Sequence, residues 1–288
     1  MRIDTERLEF TSLGSTIASA LFLPEPGRPG PALIMCHGAM DFKENYFPFC
    51  TFLARHGIAA LALDMHGYGE SGGNRHHVVM AEWVADIRAA LAALGAHPRV
   101  DEERIGAFGV SSGGTAVLEC ALVEPGLKAL VTLDATVRPV YGLPECIGTG
   151  ILNFAGKVRT HFQGRGLRIS LVNSCLKMEM ASDPEVDAAW KSDPRVLRMW
   201  ESFPFPGFEE SSEVDTWRRV SGISVPTLVL HGADDRIDGP DSARLLHNSL
   251  TCVKDLHIIE GNGHLGHLDR NRHIVFGLTA QWAGRHLV

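Results

Sequence analysis

The chain has 288 residues, of which 45% are hydrophobic and 21% are charged, and its formal net charge is −7 at pH 7. This length and apolar content suffice for one large core or for a core with an inserted subdomain. The acidic balance and the lack of a long basic run argue against nucleic acid as a partner, because phosphate binding needs a concentrated basic face. No segment reaches the roughly 20 apolar residues of a membrane-spanning helix, so we expect no transmembrane segment.

Cysteine usage and the first residues bear on the compartment. The start, Met1–Arg7, carries acids and lacks a continuous apolar stretch, so it does not resemble a signal peptide. The cysteines are scattered without a C-x-x-C pair, and several lie inside apolar runs, where a free thiol behaves as a small hydrophobe. This pattern argues against a disulfide framework or a zinc site and predicts a reducing, cytoplasmic location. The six cysteines are Cys36, Cys50, Cys120, Cys146, Cys175 and Cys252.

The predicted elements alternate between strand and helix over most of the chain. Two extended segments, Arg2–Phe10 and Thr16–Leu23, come first and predict an antiparallel hairpin. Uninterrupted apolar runs, which suit strands buried on both faces of a parallel sheet, follow at Ala32–Cys36, Ile58–Leu63, Arg104–Gly109, Leu127–Leu133, Thr227–His231 and Lys254–Ile259. Helical patterns lie between them at Tyr46–His56, Ala81–Leu94 and Gly113–Val123. This order predicts an α/β fold with a mostly parallel, doubly wound sheet.

The alternation stops between Ala135 and Ser221 and resumes at the next buried strand. We interpret residues 136–220 as an inserted cap, with residues 1–135 and 221–288 forming the core. Its apolar residues could form a small core of the cap, or they could line a ligand pocket as the underside of a lid. They include Trp190, Met199, Trp200, Phe203, Phe205 and Phe208.

The first half of this predicted cap is basic. Between Cys146 and Met178 there is no acidic residue. A solvated face is the ordinary interpretation of such a stretch, and attraction of an anionic head group or a phosphate-bearing carrier is the alternative. The cations are Lys157, Arg159, Arg165, Arg168 and Lys177.

A G-x-S-x-G motif lies between a predicted strand and a predicted helix. A serine at such a sharp turn is lifted above the sheet, and Gly109 and Gly113 remove side chains that would clash with the turn. The helix N-terminus favours the negative charge that develops in a reaction at this serine. Ser111 is therefore the candidate nucleophile. Ser112 is a rival by residue type, but the register of the motif places Ser111 at the apex.

A serine nucleophile needs a base and an acid that orients the base. The strand predicted at Thr227–His231 runs into a loop with two carboxylates, of which Asp235 is the chosen acid and Asp234 the alternative. A glycine-rich loop after the last predicted strand carries His264, the candidate base. His267 lies close by, and we expect it at the surface or facing the lid.

Two backbone N–H groups are needed to stabilise an oxyanion. The residue after the nucleophile, Ser112, is expected to supply one of them. The loop after the strand Ala32–Cys36 is expected to supply the other, from Ala39. His37 in that loop is expected to brace the backbone by hydrogen bonds.

Five motifs in order resemble the signature of the α/β-hydrolase superfamily, within its lysophospholipase, monoacylglycerol lipase and serine aminopeptidase-like branch. They are His37-Gly38-Ala39, the run from Asp64 to Gly73, Gly109-Val110-Ser111-Ser112-Gly113, the run from His231 to Asp235, and Gly263-His264. The resemblance implies an α/β-hydrolase fold with a Ser-Asp-His triad. One departure is His66, which stands where arginine is common and leaves the packing partner of its loop open.

The expected chemistry is two-step acyl transfer without a metal or an organic cofactor. The leading substrate is a small-molecule carboxylic ester. A thioester on an acyl carrier, cleaved or edited, is the second class, because the basic stretch with Arg165 and Arg168 could meet a phosphate-bearing arm. Peptidase or amidase activity and a non-catalytic binding role are further alternatives.

Overall fold

The computed structural model describes residues 3–140 and 142–288. Its strands are β1 (Asp4–Ser12), β2 (Ser15–Leu23), β3 (Gly30–Cys36), β4 (Ala59–Leu63), β5 (Val100–Val110), β6 (Leu130–Leu133), β7 (Leu167–Ile169), β8 (Phe203–Phe205), β9 (Thr227–Gly232) and β10 (Lys254–Ile259). Eight of them form one sheet in the order β1-β2-β4-β3-β5-β6-β9-β10. The pairs from β4 to β10 are parallel, and β2 pairs antiparallel with both β1 and β4. The predicted fold class, a mostly parallel α/β-hydrolase sheet, is confirmed.

Nine α-helices are found in the described part of the chain. They are α1 (Phe47–Arg55), α2 (Met80–Gly95), α3 (Ser112–Ala121), α4 (Leu143–Gln163), α5 (Val172–Cys175), α6 (Pro184–Ser192), α7 (Pro194–Glu201), α8 (Asp241–Ser249) and α9 (Arg272–His286). The three predicted helices correspond to α1, α2 and α3 and end within two residues of the predicted positions.

The core lies on both faces of the sheet. Successive side chains of a strand point to opposite faces, and β3 shows this clearly. Ile34 packs in the cluster that contains Trp83 of α2, whereas Leu33 and Met35 pack in the cluster that contains Phe49 of α1. Burial on both faces is the reason why the strands read as uninterrupted apolar runs.

The predicted entry hairpin is confirmed, and β1 continues to Ser12 while β2 begins at Ser15, so both strands come closer to the turn than expected. Leu13 and Gly14 have φ values of +46° and +80°, which is the pair of positive angles that a type I′ turn requires. The tight two-residue turn lets the ladder continue to the pair Ser12 and Ser15. Arg2, the predicted start of the hairpin, lies outside the described residues.

The chain between β6 and β9 (residues 134–226, the β6–β9 segment) carries α4 to α7 and a two-stranded antiparallel sheet of β7 and β8. Helices α6 and α7 each begin at an Asp-Pro pair, where the carboxylates of Asp183 and Asp193 accept the N–H groups of Glu185 and Arg195. The buried aromatic side chains of α6, α7 and β8 belong to the same hydrophobic cluster as the α2 face of the main sheet. A separate cap at residues 136–220 stays a prediction.

Helix α4 differs from the others because it exposes a row of large apolar side chains, from Ile147 to Phe162. Its opposite face is seated on β8, where Gly156 lies too close to the carbonyl of Phe205 to admit a Cβ atom. Among the helices of the described residues, none is both long enough and apolar enough to cross a lipid bilayer.

Candidate active site

Ser111 lies at the turn between β5 and α3, at the carboxyl edge of the parallel strands. Its backbone has φ +51° and ψ −122°, a left-handed conformation that costs free energy for a residue with a side chain. The turn is held because the Ser111 N–H donates to the Leu133 carbonyl at 3.0 Å. Cβ atoms at Gly109 or Gly113 would collide with backbone atoms. The glycines of the motif are therefore needed for the turn that presents the hydroxyl.

The structure brings Ser111, His264 and Asp235 together. Nε2 of His264 lies 3.0 Å from Oγ of Ser111, and Nδ1 of the same ring lies 2.7 Å from Oδ2 of Asp235. Oδ1 of Asp235 accepts the backbone N–H groups of Ile237 at 2.7 Å and Asp238 at 3.1 Å. The carboxylate is thus fixed by its own loop, and the imidazole is fixed between carboxylate and hydroxyl.

The alternatives considered from sequence lie elsewhere. Asp234 is exposed and accepts a hydrogen bond from Ser182 at 3.1 Å. The hydroxyl of Ser112 lies 2.7 Å from that of Ser211. The expectation that His267 faces the surface or the lid is wrong. Its ring is buried and stacked on Tyr46, with centroids 4.5 Å apart, and its Nε2 lies 3.4 Å from Oδ2 of Asp41.

The loop after β3 brings Ala39 to the edge of the same site. A Cβ atom at Gly38 would lie only 3.2 Å from Cβ of Ser111, so glycine permits the close approach of the two turns. His37 holds the loop from inside, because its Nδ1 lies 2.7 Å from the Gly38 carbonyl and its Nε2 accepts the N–H of Met65 at 3.0 Å. The bracing role expected of His37 agrees with these contacts.

Sequence reasoning missed two buried groups close to Asp235. Asp134 follows β6 directly, has φ +50°, and accepts the Gly232 N–H at 2.7 Å. His231, at the end of β9, lies between the carboxylates, with Nδ1 3.8 Å from Asp134 and Nε2 3.4 Å from Asp235. An acid directly after a strand beside the nucleophile strand was the available signal for Asp134. No local pattern marks His231.

The pKa values of this buried group follow from burial and neighbouring charge. Burial lowers the pKa of His264, but the charges of Asp235 and Asp134 outweigh burial and leave it raised. For Asp235 burial raises the pKa, yet His264 and His231 hold it well below its usual value. Burial raises the pKa of Asp134 to about 7, since the opposing charge of His231 is partly offset by that of Asp235.

The pKa of His231 is raised by the same carboxylates. Burial lowers its pKa, but the hydrogen bond with Asp235 and the charge of Asp134 bring the pKa to about 9. An imidazolium at this position compensates the buried carboxylates of its neighbours. Asp235 is therefore ionised at neutral pH and held between two imidazole rings.

Ser111 and His264 open into a cavity of about 240 Å³. Apart from the edge of the main sheet, its walls come from the β6–β9 segment and are largely apolar. The residues that line it are Ala39, Met40, Ser111, Thr136, Val140, Met178, Met180, Trp190, Trp200, Phe208, Ser211, Ser212, Arg236, Ile237 and His264. Trp190, Trp200 and Phe208 therefore line a pocket, and they also join the main hydrophobic cluster.

The loop with the unusual His66 has a buried partner. Nδ1 of His66 lies 2.5 Å from Asp86 Oδ1, and the His66 N–H donates to Asp86 Oδ2 at 2.7 Å. The hydrogen bond with Asp86 raises the pKa of His66 despite its burial. Asp86 of α2 is thus the packing partner that the sequence left open.

Two groups of side chains in the described residues have metal-ligand spacing. In one, the ligand atoms belong to Asp134, His231 and Asp235, where His231 lies beside both carboxylates and Asp235 contacts His264. In the other, Glu44, Asp64 and Glu70 surround the Lys43 ammonium, which lies 2.7 Å from Asp64 and 2.8 Å from each glutamate. The lysine supplies the positive charge at that position.

Comparison with known proteins agrees with this architecture. The profile of the family described as serine aminopeptidase, S33, matches residues 27–271. A monoacylglycerol lipase of Mycolicibacterium smegmatis is 25% identical over 266 residues, which cover 90% of each chain. The thiohydrolase aneE of Aspergillus aculeatus is 31% identical over 138 residues, or 46% of this chain and 43% of that protein. DcsB, solved in complex with a substrate analogue, superposes with a TM-score of 0.84 at 17% identity, over 99% of this chain and 100% of DcsB.

The profile match spans most of the chain, including the β6–β9 segment, and the structural match is one of fold. Both agree with the resemblance read from the motifs. The chain therefore belongs to the serine aminopeptidase S33 family and is a hydrolase with the α/β-hydrolase fold.

Proposed function

We propose that this protein is a serine hydrolase that cleaves a small or medium-sized carboxylic ester through an acyl-enzyme. Ser111 acts as the nucleophile, His264 as the general base and acid, and Asp235 orients the imidazole. The observation that carries the proposal is the unbroken chain of contacts from Asp235 through His264 to the Ser111 hydroxyl, at 2.7 and 3.0 Å. This chain of contacts ends at a largely apolar cavity of about 240 Å³.

The reaction follows from these contacts. Neutral His264 accepts the proton of Ser111 as Oγ attacks the carbonyl carbon, and Asp235 stabilises the imidazolium that forms. The imidazolium then donates its Nε2 proton to the leaving alkoxide, the carbon–oxygen bond breaks, and Ser111 is left acylated. Water, deprotonated by His264, attacks the acyl carbon, and the carboxylic acid and the free serine are released.

The oxyanion is stabilised by the backbone N–H groups of Ala39 and Ser112. Ser112 begins α3, where a helix N-terminus has free donors and the positive end of the helix dipole. Within the described part of the chain, neither N–H donates to another protein group. Preorganised donors of this kind contribute about 10²-fold to 10³-fold each to kcat in related chemistry.

The cavity supports an acyl group of limited length. Its volume of about 240 Å³ lies just below the usual range of ligand pockets, about 300–1,000 Å³. Met180, Trp190 and Trp200 give it apolar walls that suit an acyl chain. The name of the monoacylglycerol lipase relative also favours ester cleavage.

A steady-state panel of matched oxygen esters and thioesters, from acetyl to palmitoyl, tests this proposal. We expect short and medium acyl chains to exceed palmitoyl at least about tenfold in kcat/KM, because a longer chain cannot be enclosed. Palmitoyl as the best substrate would contradict the pocket assignment. Failure of folded protein to cleave any ester or thioester, and to react with a fluorophosphonate, would instead favour a binding role.

Thioester cleavage is the second candidate. The observation that favours it is the name of the thiohydrolase relative. In addition, the basic stretch that includes Arg165 and Arg168 could attract a phosphate-bearing carrier. If so, Arg165→Ala should raise KM for coenzyme A thioesters and leave KM for free thioesters unchanged. An equal effect on both classes would argue against carrier recognition.

The pH dependence of kcat/KM tests the buried acid Asp134. Because His264 must be neutral to accept a proton, and its pKa is raised, activity should rise with pH through an apparent pKa above about 6.5. Asp134→Asn removes a negative charge that raises the pKa of His264, so the rising limb should move to lower pH. Asparagine keeps the oxygen that accepts the Gly232 N–H.

The matched control is Asp234→Asn, which removes an exposed carboxylate from the loop after β9. In this variant the rising limb of the pH profile of kcat/KM should not move. An unchanged profile in Asp134→Asn, or a shift to higher pH, would show that Asp134 does not act on the base.

A further inference from the structure

The exposed face of α4 is apolar along almost its whole length. Five large side chains lie on it at spacings of four, three, four and four residues, and they are 40–79% exposed. At about 100° per residue they fall within a sector of roughly 80°, which is one face of the helix. These residues, the α4 stripe, are Ile147, Ile151, Phe154, Val158 and Phe162.

The exposed apolar area of the α4 stripe is larger than that of hydrophobic side chains scattered singly over a surface. The five side chains expose apolar area on the order of 600 Å², the upper end of the largest patch on a typical monomer. A standard interface buries about 800 Å² on each partner. With the small residues Gly148 and Ala155, exposed along one edge of the stripe, a helix pair centred on this stripe approaches that size.

The order of side chains along the stripe is self-complementary. With a twofold axis between Phe154 and Ala155, an antiparallel second copy of α4 sets Phe154 against Ala155. The same axis sets Ile151 against Val158. Each larger side chain then meets a smaller one, as required for two helices to interdigitate.

At the ends of the same helix pair, Ile147 meets Phe162. Gly148, which has no neighbouring atom within 4 Å of a Cβ position, leaves room there for the phenyl ring. A flat lipid surface imposes no such palindromic order.

Charge favours the antiparallel direction. In a parallel pair Lys157 of one copy would lie on the same side of the interface as Arg159 of the other, and like charges repel. In the antiparallel pair the exposed carboxylate of Glu145 lies near the level of Arg165 of the second copy. Arg165 has no ion-pair partner among the described residues. The two helix dipoles also oppose each other.

We propose that this protein forms a twofold symmetric dimer in which the α4 stripes of two copies pack antiparallel. The packing removes the five apolar side chains from water. Because the interface is isologous, each substitution acts twice in the dimer. The proposal is independent of the substrate and of the roles of Ser111, His264 and Asp235.

Light scattering of the full chain during gel filtration, over a range of protein concentrations, tests the proposal. The wild type should approach twice the subunit mass of 31.3 kDa. Ile151→Glu should raise the dimer dissociation constant by about 100-fold or more, because it places two carboxylates in an apolar interface. Val253→Glu, at an exposed valine outside α4, is the matched control and should stay dimeric. Circular dichroism confirms that both variants are folded.

Cross-linking tests the direction of packing. Ala155→Cys lies at the proposed axis and should form an intersubunit disulfide under mild oxidation, beyond the wild-type background. Ile147→Cys should not, because the two copies would be about 22 Å apart at 1.5 Å per residue.

Three outcomes would overturn the dimer: a wild-type monomer at every concentration, an Ile151→Glu variant as dimeric as wild type, or cross-linking of the Ile147→Cys variant in place of the Ala155→Cys variant. Sedimentation with vesicles of phosphatidylcholine and phosphatidylglycerol adds a fourth. A monomer that binds the vesicles through Ile151 would assign the stripe to a lipid surface.

Discussion

Ser111→Ala is expected to lower kcat for ester hydrolysis by roughly 10⁴-fold to 10⁶-fold. The substitution removes the hydroxyl that lies 3.0 Å from Nε2 of His264 and that this imidazole deprotonates for attack on the substrate. It leaves the backbone donors and the cavity intact, so substrate binding should change little. Steady-state kinetics with the best ester of the panel, together with a binding measurement on the variant, separates the two effects.

Ser112→Ala is the matched control, one residue away. Its hydroxyl is bonded to Ser211 and not to His264, while its backbone N–H, the proposed oxyanion donor, remains. Activity should therefore stay within about tenfold of wild type. Equal losses in the two variants would mean that the turn is disturbed, and activity retained by Ser111→Ala would refute the proposed nucleophile.

Asp235→Asn is expected to lower kcat by about 10⁴-fold, although asparagine has the same shape. The carboxylate accepts a hydrogen bond from Nδ1 of His264 and so keeps Nε2 free to accept the Ser111 proton. It also stabilises the imidazolium. An amide can present an N–H to Nδ1 instead, which favours the wrong tautomer.

Asp234→Asn provides the comparison for this effect. Asp234 is the adjacent residue, exposed, and bonded to Ser182, so its neutral variant should stay within about threefold of wild type. If the larger loss occurred in Asp234→Asn, the loop would have to adopt another conformation in the working enzyme, and the assignment of the acid would be wrong.

Local sequence rules predicted those parts of the fold and site that depend on local geometry. The G-x-S-x-G turn is specified within five residues, because backbone crowding at Gly109 and Gly113 admits no side chain. Buried parallel strands can likewise be predicted from the sequence, since both of their faces are apolar and they form uninterrupted apolar runs. The choice between Asp234 and Asp235 was open because neighbouring loop residues point in different directions, and only tertiary packing selects one.

Groups that depend on convergence of distant strands were not predicted. Asp134 and His231 lie 97 residues apart in sequence and meet because β6 and β9 are paired in the sheet. His267 was misjudged since its partner Tyr46 comes from the first helix region, far along the chain. The pocket walls from Met178 to Phe208 also required the structure, because their pattern fits a small core equally well.

The most direct test of the central claim is to trap the acyl-enzyme. Wild-type protein mixed with an activated ester and quenched in acid within the first turnover should gain one acyl mass, and peptide mapping should place that mass on Ser111. An adduct on Ser112, on a cysteine or on His264, or no adduct despite rapid turnover, would contradict the proposed mechanism.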